Sequence, residues 1–421
     1  MKNILIEQNP HWNNKLYKSV KREAISKLIS YLPLKQIITI TGIRRCGKST
    51  LAKQAINYLI ESGVEAKNIL FINLENPLFL EYKNDANYLH VIYEEYLKLM
   101  NPQGKVYCIF DEIQYFDNWQ VYIKSRYELS DIKYILTGSN SSMLSNELST
   151  LLSGRSLNIH LDTFSFTEFL DYKNIEYKDE LSQITNKIQI ARAKEEYIKW
   201  GGFYEVFEVE DESIKKELLI NYVRNIIYQD IVPRYSIRNS QVLERLFFYL
   251  LSNATSLINY TTLSNTFEIS DKSIREYINY FEETFMLKRI DKFHNKPKER
   301  IKSFKKIYAL DNGFLQIAPK LSDNLGKNLE NIVFIALNQK NEEVYYLREV
   351  QEIDFLSQSR LYQVSYDISE AKTRQRELGS FEYFNKDNKY TNFLITYDKN
   401  EELENVKVLS FEKFMFENIE K

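Results

Sequence analysis

The chain has 421 residues, of which 44% are hydrophobic, so it is too long for one ordinary core and long enough for two or three domains. Its 56 Lys and Arg nearly balance its 58 Asp and Glu, which excludes a chain-wide surface for polyanions, so any nucleic-acid-binding face must be local. The two cysteines, Cys46 and Cys108, lack metal-ligand spacing. The N-terminus lacks a signal-peptide apolar region and no apolar run is long enough to span a membrane, so we expect a reduced, cytoplasmic protein.

The first predicted elements are a helix and a strand. Residues 15–32 carry apolar side chains at helical intervals and stop at Pro33, which predicts a lead-in helix. Residues 37–40 are rich in isoleucine and predict a short buried strand that leads into a glycine loop.

The glycine loop at residues 42–49 fits the P-loop pattern G-x-x-x-x-G-K-[ST], and a helical pattern follows it. In such a loop several backbone N–H groups point at a phosphate, Lys48 reaches the β- and γ-phosphates, and Ser49 ligates Mg²⁺. The alternative is a glycine turn that a lysine follows by chance. Because the chain has only 11 glycines, two of them at this spacing before Lys-Ser argue against chance. The residues predicted to hold ATP are Gly42, Arg44, Arg45, Cys46, Gly47, Lys48, Ser49 and Thr50.

A second motif lies where a buried strand meets two acids. After a strand predicted at 69–74 and a helix at 86–100, VYCIFDEIQ runs from an apolar strand into Asp111 and Glu112. Because ligands bind beyond the carboxyl ends of parallel strands, this pattern indicates a Walker B arrangement. Asp111 would organise Mg²⁺, and Glu112 would polarise the attacking water as general base. The alternative is a strand that ends in two solvated acids.

Two further positions could act on the transferred phosphate. A strand at 134–137 ends in Gly138-Ser139-Asn140-Ser141-Ser142, and we assign Asn140 to bind the γ-phosphate or the catalytic water. A Ser/Asn turn that caps a helix fits these residues equally well. Arg155 precedes a fifth strand and is predicted as an arginine finger, in cis or across a subunit boundary. A surface arginine is the alternative.

Five segments resemble, in order and spacing, prokaryotic AAA/STAND-type P-loop ATPases that carry a winged helix and a nuclease-like C-terminal domain. They are GIRRCGKST, FINLEN, CIFDEIQ, ILTGSNSSML and LSGRSLNIHLDTFSFTEF. The resemblance covers nearly the whole chain and is strongest in residues 17–170. It implies an α/β fold whose five-stranded core keeps the Walker B strand apart from the P-loop strand. It also supports the roles of Asp111, Glu112 and a polar residue at 139–140.

The segments that follow the core are expected to be helical at first. Residues 163–235 are predicted to form a lid; relatives have a Gly-Gly-x-Pro turn near the adenine, and Tyr204 replaces the proline here, which argues against contact with the base. Residues 236–315 resemble a winged helix, with one helix starting at Ser270 or Asp271. Within it, residues 288–306 hold nine Lys and Arg and a net charge of +7. This segment would bind nucleic-acid phosphates, dock on acidic protein or be merely solvated.

Residues 316–421 are similar to PD-(D/E)xK nuclease domains, in which a helix Glu, a strand Asp and an acid-x-Lys assemble a metal site. Glu330 and Asp354 match this pattern, but residues 363–365 read Gln-Val-Ser in place of acid-x-Lys. Lys372 is the only nearby substitute in the sequence. The resemblance therefore implies a nuclease-like domain without nuclease activity.

The predicted organisation is an AAA-type ATPase core, a helical lid, a winged helix and an inactive nuclease-like α/β domain, at residues 1–162, 163–235, 236–315 and 316–421. The leading hypothesis is a Mg²⁺-dependent ATPase that couples its nucleotide state to the C-terminal domains. Its rivals are a nucleotide-switched regulator that binds DNA or RNA, with slow hydrolysis, and a metal-dependent nuclease. The expected partners are ATP, nucleic acid through residues 288–306 and an unidentified protein, with no membrane. The oligomeric state is left open.

Overall fold

The computed structural model describes residues 1–129, 131–140, 154–319, 324–340 and 343–417. The chain forms two compact units, Met1–Asp162 and Thr163–Lys421. Each unit contains one β-sheet.

Five parallel strands form the sheet of the first unit, in the order β2-β3-β4-β1-β5. They are β1 (Ile37–Thr41), β2 (Ile69–Asn73), β3 (Val106–Asp111), β4 (Ile132–Gly138) and β5 (Ser156–His160). The helices described in this unit are α1 (Lys2–Gln8), α2 (Ile25–Tyr31), α3 (Lys48–Glu61), α4 (Tyr88–Met100) and α5 (Trp119–Leu129). The five-stranded core is confirmed, and so is the separation of the Walker B strand β3 from the P-loop strand β1, because β4 lies between them.

The strand order brings the predicted motifs to one edge of the sheet. Every residue of β1 is buried, as expected for a central parallel strand covered on both faces. Because the strands are parallel, their carboxyl ends share an edge. The P-loop follows β1 there, and β3 and β4 end there at Asp111 and Gly138.

The predicted lead-in helix is wrong over residues 15–24, since the helix in this region spans only Ile25–Tyr31. Side chains of α3 instead form hydrogen bonds with backbone groups of the segment 17–22. Asn57 bonds both the amide and the carbonyl of Tyr17, at 3.0 and 2.7 Å. Gln54 accepts from the amide of Arg22 at 3.2 Å and donates to the carbonyl of Val20 at 2.5 Å. We call residues 17–22 the strap.

The second unit begins with helices and continues with a mixture of helices and strands. Its described α-helices are α6 (Phe166–Tyr172), α7 (Glu180–Thr185), α8 (Lys187–Trp200), α9 (Tyr204–Phe207), α10 (Glu212–Asn225), α11 (Val232–Tyr235), α12 (Ser240–Ser252), α13 (Tyr260–Phe267), α14 (Asp271–Glu283), α15 (Pro297–Lys302), α16 (Leu325–Gln339), α17 (Ala371–Phe384) and α18 (Phe411–Glu417). Ser270 caps α14, as predicted.

Eight strands form the second sheet, in the order β12-β13-β11-β10-β9-β8-β6-β7. They are β6 (Leu287–Lys292), β7 (Lys305–Ala309), β8 (Val344–Arg348), β9 (Glu352–Ser357), β10 (Arg360–Ser365), β11 (Thr391–Thr396), β12 (Glu401–Glu402) and β13 (Lys407–Ser410). The antiparallel pair β6-β7 joins this sheet because β6 pairs with β8 in parallel. The sheet thus contains strands from both sides of residue 315, and the division of this unit into smaller domains stays a prediction.

The glycine turn after α8 is fixed by a buried carboxylate. Asp311 accepts from the hydroxyl of Thr163 at 2.7 Å and from the amides of Gly202 and Gly313 at 2.9 and 2.8 Å. Gly201 has a φ of 75°, and a Cβ there would lie 1.9 Å from Oδ1 of Asp311. These contacts lie within the second unit, and the expectation that this turn does not contact adenine stays a prediction.

Candidate functional site

The P-loop connects β1 to α3 at the carboxyl edge of the first sheet. A Cβ on Gly42 would lie 1.9 Å from the carbonyl oxygen of Leu161, so a larger residue cannot fit without moving the backbone. Gly47 has a φ of 101°, in the left-handed region, and caps the amino end of α3. The first N–H groups of a helix have no acceptor within it, so this helix end attracts anions.

Lys48, the first residue of α3, keeps its ammonium group within the loop. Nζ donates to the carbonyl oxygens of Gly42 and Ile43, each at 3.2 Å, and lies 3.4 Å from Oε1 of Glu112. Burial opposes the positive charge most strongly, but the neighbouring carboxylates, Glu112 first, together outweigh burial and raise the pKa of Lys48. The loop therefore contains a charged, buried ammonium group.

Ser49 and Asp111 bring three oxygen atoms together beside this lysine. Oγ of Ser49 lies 3.0 Å from Oδ1 and 2.8 Å from Oδ2 of Asp111. Mg²⁺ binds oxygen ligands at about 2.1 Å in an octahedron, which places neighbouring ligands about 3 Å apart. The hydroxyl and the carboxylate therefore suit adjacent positions around one Mg²⁺ ion.

Thr137, at the end of β4, holds both acids of the Walker B strand. Its hydroxyl donates to Oδ1 of Asp111 at 2.7 Å and accepts from the amide of Glu112 at 2.9 Å. Burial, together with the charge of Glu112, raises the pKa of Asp111. The sequence analysis missed Thr137 because it reads as an ordinary strand residue.

Glu112 is a buried carboxylate held on both sides. Oε1 faces Lys48, and Oε2 accepts from the amide group of Gln114, which also donates to Oγ of Ser139 at 3.1 Å. Burial opposes ionisation, but the ammonium of Lys48 and the Gln114 hydrogen bond outweigh it and lower the pKa of Glu112. The carboxylate is therefore ionised, as a general base must be.

Two sequence families match the chain. Residues 34–170 match the AAA domain family, and residues 191–325 match a domain of unknown function (DUF8612). The chain is 33% identical over 397 residues to the uncharacterized protein MJ1544 of Methanocaldococcus jannaschii, covering 90% of this chain and 86% of that protein. An uncharacterized protein of Haemophilus influenzae is 31% identical over 398 residues, with coverages of 91% and 95%.

The chain belongs to the family of these two proteins. Its residues 34–170 match the AAA domain family, which confirms the AAA class that the resemblance of the five segments implies. Among the described residues, no helix is both long enough and apolar enough to cross a membrane.

The solved structures with matching segments are distant. The Aeropyrum pernix ORC1 protein in complex with DNA aligns with 69% of this chain and 90% of its own, at 11% identity and a TM-score of 0.33. AMPPCP-bound DnaA from Aquifex aeolicus aligns with 66% of this chain and 92% of its own, at 17% identity and a TM-score of 0.27. TM-scores this low do not establish a shared fold. The DNA and the AMPPCP named in these two structures belong to those proteins.

Other predicted residues of the AAA domain lie around the loop. Arg44 pairs with Glu75, after β2, with its Nη1 3.0 Å from Oε1, and its Nη2 donates to the hydroxyl of Tyr115 at 3.0 Å. The structure therefore directs Arg44 at a carboxylate, and its contact with a nucleotide stays a prediction. Burial raises the pKa of the Cys46 thiol, so this buried side chain of the loop is uncharged.

The roles assigned to Arg45, Thr50 and Asn140 stay predictions. Arg45 has a φ of 69°, and Thr50 lies in the first turn of α3. Asn140 is buried two residues beyond β4. Ser141 and Ser142, which were considered with it, lie outside the described residues.

Arg155 is not part of this cluster. It precedes β5 at the amino-terminal edge of the sheet, where its carbonyl oxygen accepts from the amide of Ile37 at 2.8 Å. Its guanidinium group pairs with Glu128 at 2.7 Å. The P-loop and both acids lie at the opposite edge, which rules out the finger in cis at this site; a role across a subunit boundary stays a prediction.

The basic segment 288–306 carries less available charge than its sequence suggests. Arg289 is bound by Glu282, and Nζ of Lys305 lies 2.7 Å from Asp291. Lys306 is buried, with a side chain only 5% exposed. Lys306 is one of the nine cations counted in this segment, and the prediction that they are available for binding phosphates is therefore wrong for Lys306.

Lys306 lies among three carboxylates of the second unit. Its Nζ is 3.3 Å from Glu330, 2.6 Å from Glu352 and 3.5 Å from Asp354. Burial, followed by the charge of Glu330, raises the pKa of Asp354 to about 8. The two acids predicted as nuclease-like residues are thus brought together, but around an ammonium group.

The remaining nuclease-like positions are occupied by neutral or distant groups. Gln363 accepts from the amide of Asp354 at 3.2 Å and donates to Glu377 at 2.7 Å, so an amide replaces the expected acid. Lys372, the predicted substitute lysine, is exposed, and Lys306 is the lysine at these acids. Among the described residues, no group of three His, Cys, Asp or Glu is arranged to hold a metal ion.

Proposed function

We propose that this protein binds ATP with Mg²⁺ and hydrolyses it to ADP and phosphate. The observation that carries the proposal is the convergence of Lys48, Ser49, Asp111 and Glu112 at the amino end of a helix, whose first N–H groups have no acceptor within the helix. Each of these side chains has the chemistry that phosphoryl transfer requires: a phosphate cation, two magnesium ligands and a base.

The residues would act in a defined order. Phosphate oxygens bind the amides at the start of α3 and attract Lys48 away from the carboxylate of Glu112, 3.4 Å away in this structure. Glu112 then keeps its hydrogen bond from Gln114 and accepts the proton of the attacking water. Ser49 and Asp111 would hold Mg²⁺, which would supply charge neutralisation for the phosphate oxygens.

The rate of ATP hydrolysis by Glu112→Gln tests the role of Glu112 as the general base. This variant should bind ATP within about threefold of the wild type and lose at least about a hundredfold in hydrolysis rate, since general bases contribute roughly that much. Glu65→Gln is a matched control because Glu65 is an exposed acid paired with Lys67. Undiminished hydrolysis in Glu112→Gln would overturn the assignment of the base.

The second unit is proposed to receive the nucleotide state. Three helices followed by a strand pair at 240–309 support a winged helix, and a helix followed by mixed strands at 325–410 supports a nuclease-like fold. The ammonium of Lys306 occupies the space among the acids that a metal would need, which supports a domain that does not cleave nucleic acid. A cytoplasmic location is part of the proposal.

A second candidate function is nucleic-acid binding by the tip between β6 and β7. Lys296, Lys298 and Lys302 are exposed there, close in sequence to Ile301 and Phe304, which are 75% and 59% exposed. Exposed cations neutralise phosphates, and an aromatic side chain such as Phe304 can stack on an unpaired base. This tip replaces the broader segment 288–306 as the proposed contact.

A charge-reversal variant tests the tip. Lys296→Glu, Lys298→Glu and Lys302→Glu together should weaken binding of a single-stranded oligonucleotide, and the loss should shrink as salt rises. Lys67→Glu, Lys83→Glu and Lys98→Glu together, all in the first unit, reverse the same number of charges and are the control for net charge. Wild-type protein that does not bind at low salt would exclude this candidate.

A further inference from the structure

Arg22 is a buried arginine that touches the P-loop from the strap. It is 2% exposed, although arginine is rarely buried in proteins. Its Nη1 donates to the carbonyl oxygen of Cys46, and its Nη2 donates to the carbonyl oxygen of Asp162 at 2.8 Å. The guanidinium group thus joins the P-loop to the end of the first unit.

The contact with Cys46 fixes the direction of the next amide. The described chain has no cis peptide bonds, and in a trans peptide the carbonyl and the following N–H point to opposite sides. Since the carbonyl of Cys46 faces Arg22, the N–H of Gly47 points away from the guanidinium. Nη1 also lies 2.9 Å from the position that a Cβ on Gly47 would take, so the guanidinium packs directly against this peptide.

We infer that Arg22 is a positioning residue that aims the amide of Gly47 at the nucleotide phosphates. This inference rests on the proposed ATP-binding function. Arg22 does not need to touch the nucleotide, because both of its terminal nitrogens are directed to main-chain oxygens. The glycine lets the loop turn, and the arginine selects which way its peptide faces.

The strap delivers Arg22 to this place. Gln54 and Asn57 are three residues apart on α3, so they share one face of the helix, and they bond the backbone of Tyr17, Val20 and Arg22. The strap therefore runs along the P-loop helix, and Arg22 lies at the end that meets Gly47. A shift of the strap along α3 would change the orientation of the Cys46–Gly47 peptide and hence phosphate affinity.

The test compares two variants that both damage the strap. Arg22→Ala removes the contact with the P-loop, whereas Asn57→Ala releases only the distant end at Tyr17. We expect both variants to melt at similarly lowered temperatures without nucleotide. Arg22→Ala should raise the Kd for ADP about tenfold, because the loss of one charged hydrogen bond costs about that much. The Kd for ADP of Asn57→Ala should equal that of the wild type. The Kd for ADP of Arg22→Lys should lie between those of the wild type and Arg22→Ala.

Comparison of ADP with AMP separates positioning from general loosening. P-loop amides surround the α- and β-phosphates, so loss of the Gly47 amide should weaken ADP more than AMP. Equal weakening of both nucleotides, or an ADP Kd in Arg22→Ala that matches Asn57→Ala, would overturn the inference. Failure of the wild-type protein to bind ADP would instead remove the proposed function on which the inference rests.

Discussion

The hydroxyl of Thr137 lies 2.7 Å from a carboxylate oxygen of Asp111 and accepts the amide hydrogen of the next residue, Glu112. One side chain on β4 therefore fixes two acids at the end of β3, although α5 separates the two strands in the sequence. The hydroxyl cannot bind substrate through its proton while it donates to Asp111. In the proposed mechanism its role is to set the position of Asp111, as the magnesium ligand, and of the backbone that carries Glu112, as the base.

Thr137→Val tests this role with almost no change in shape. The valine leaves the buried amide of Glu112 without an acceptor and removes a donor from Asp111, at a cost of roughly 1–3 kcal/mol. We expect kcat for ATP hydrolysis to fall about tenfold or more, with the Kd for ATP within about threefold. Thr137→Ser should restore most of the rate; equal rates in all three proteins would contradict the role.

Lys306→Met tests the cluster of carboxylates in the second unit. Removal of the ammonium leaves the partly buried carboxylates of Glu330 and Glu352 without their counter-ion, so the free energy of unfolding should fall by roughly 1–3 kcal/mol. Lys302→Met, at an exposed lysine, should change it by less than about 0.5 kcal/mol.

Urea unfolding can be followed for the second unit alone. The chain has three tryptophans, and only Trp200 lies in this unit, so Trp12→Phe with Trp119→Phe leaves one reporter. Glu352→Gln added to Lys306→Met should recover part of the lost stability because it removes one unopposed charge. Equal unfolding midpoints for Lys306→Met and Lys302→Met would show that the ammonium is not needed.

Asp311 should make the second unit less stable as the pH rises. Burial raises the pKa of this carboxyl from 3.8 to about 6. Between these two values the folded chain keeps a proton that the unfolded chain has lost, so the free energy of unfolding falls as the pH rises and stays lowered above about pH 6. The difference corresponds to roughly 3 kcal/mol.

The same tryptophan reporter measures this pH dependence. Asp311→Asn should be less stable at neutral pH, because one amide oxygen cannot accept all three hydrogen bonds. Its stability should nevertheless decline less between pH 4 and pH 6, by the share of Asp311, while the decline due to Asp354, whose pKa is raised to about 8, remains. Asp171→Asn, at an exposed aspartate, should keep the decline. A decline of equal size in Asp311→Asn would contradict the raised pKa of Asp311.

The contiguous motifs of the nucleotide site could be predicted from sequence. Residues 42–49 and the Asp111-Glu112 pair each carry a complete local pattern, and parallel strands bring such patterns to one edge. Thr137 and Gln114 could not be found this way, because their roles come from contacts between different segments. The position of Arg155 was predicted wrongly because it depends on the direction of β5 in the sheet. Since β5 is parallel to β1, the residue before β5 lies at the edge opposite the P-loop.

The errors elsewhere also come from contacts between distant segments. Residues 15–24 have helical spacing, but Gln54 and Asn57 of α3 compete for their backbone groups. Lys306 is one of nine cations in a basic stretch, and its burial follows from the pairing of β6 with β7 and β8. A linear charge count contains no information on either arrangement.

Calorimetric titration with Mg²⁺-ATP tests the central claim most directly. The account predicts one binding event per chain in the wild type, weakened when Mg²⁺ is chelated and abolished in Lys48→Ala, whose ammonium lies 3.4 Å from Glu112 within the loop. Lys67→Ala, at a half-exposed lysine, should bind as the wild type does. No heat with the wild-type protein, or unchanged affinity in Lys48→Ala, would contradict a nucleotide site at residues 42–49.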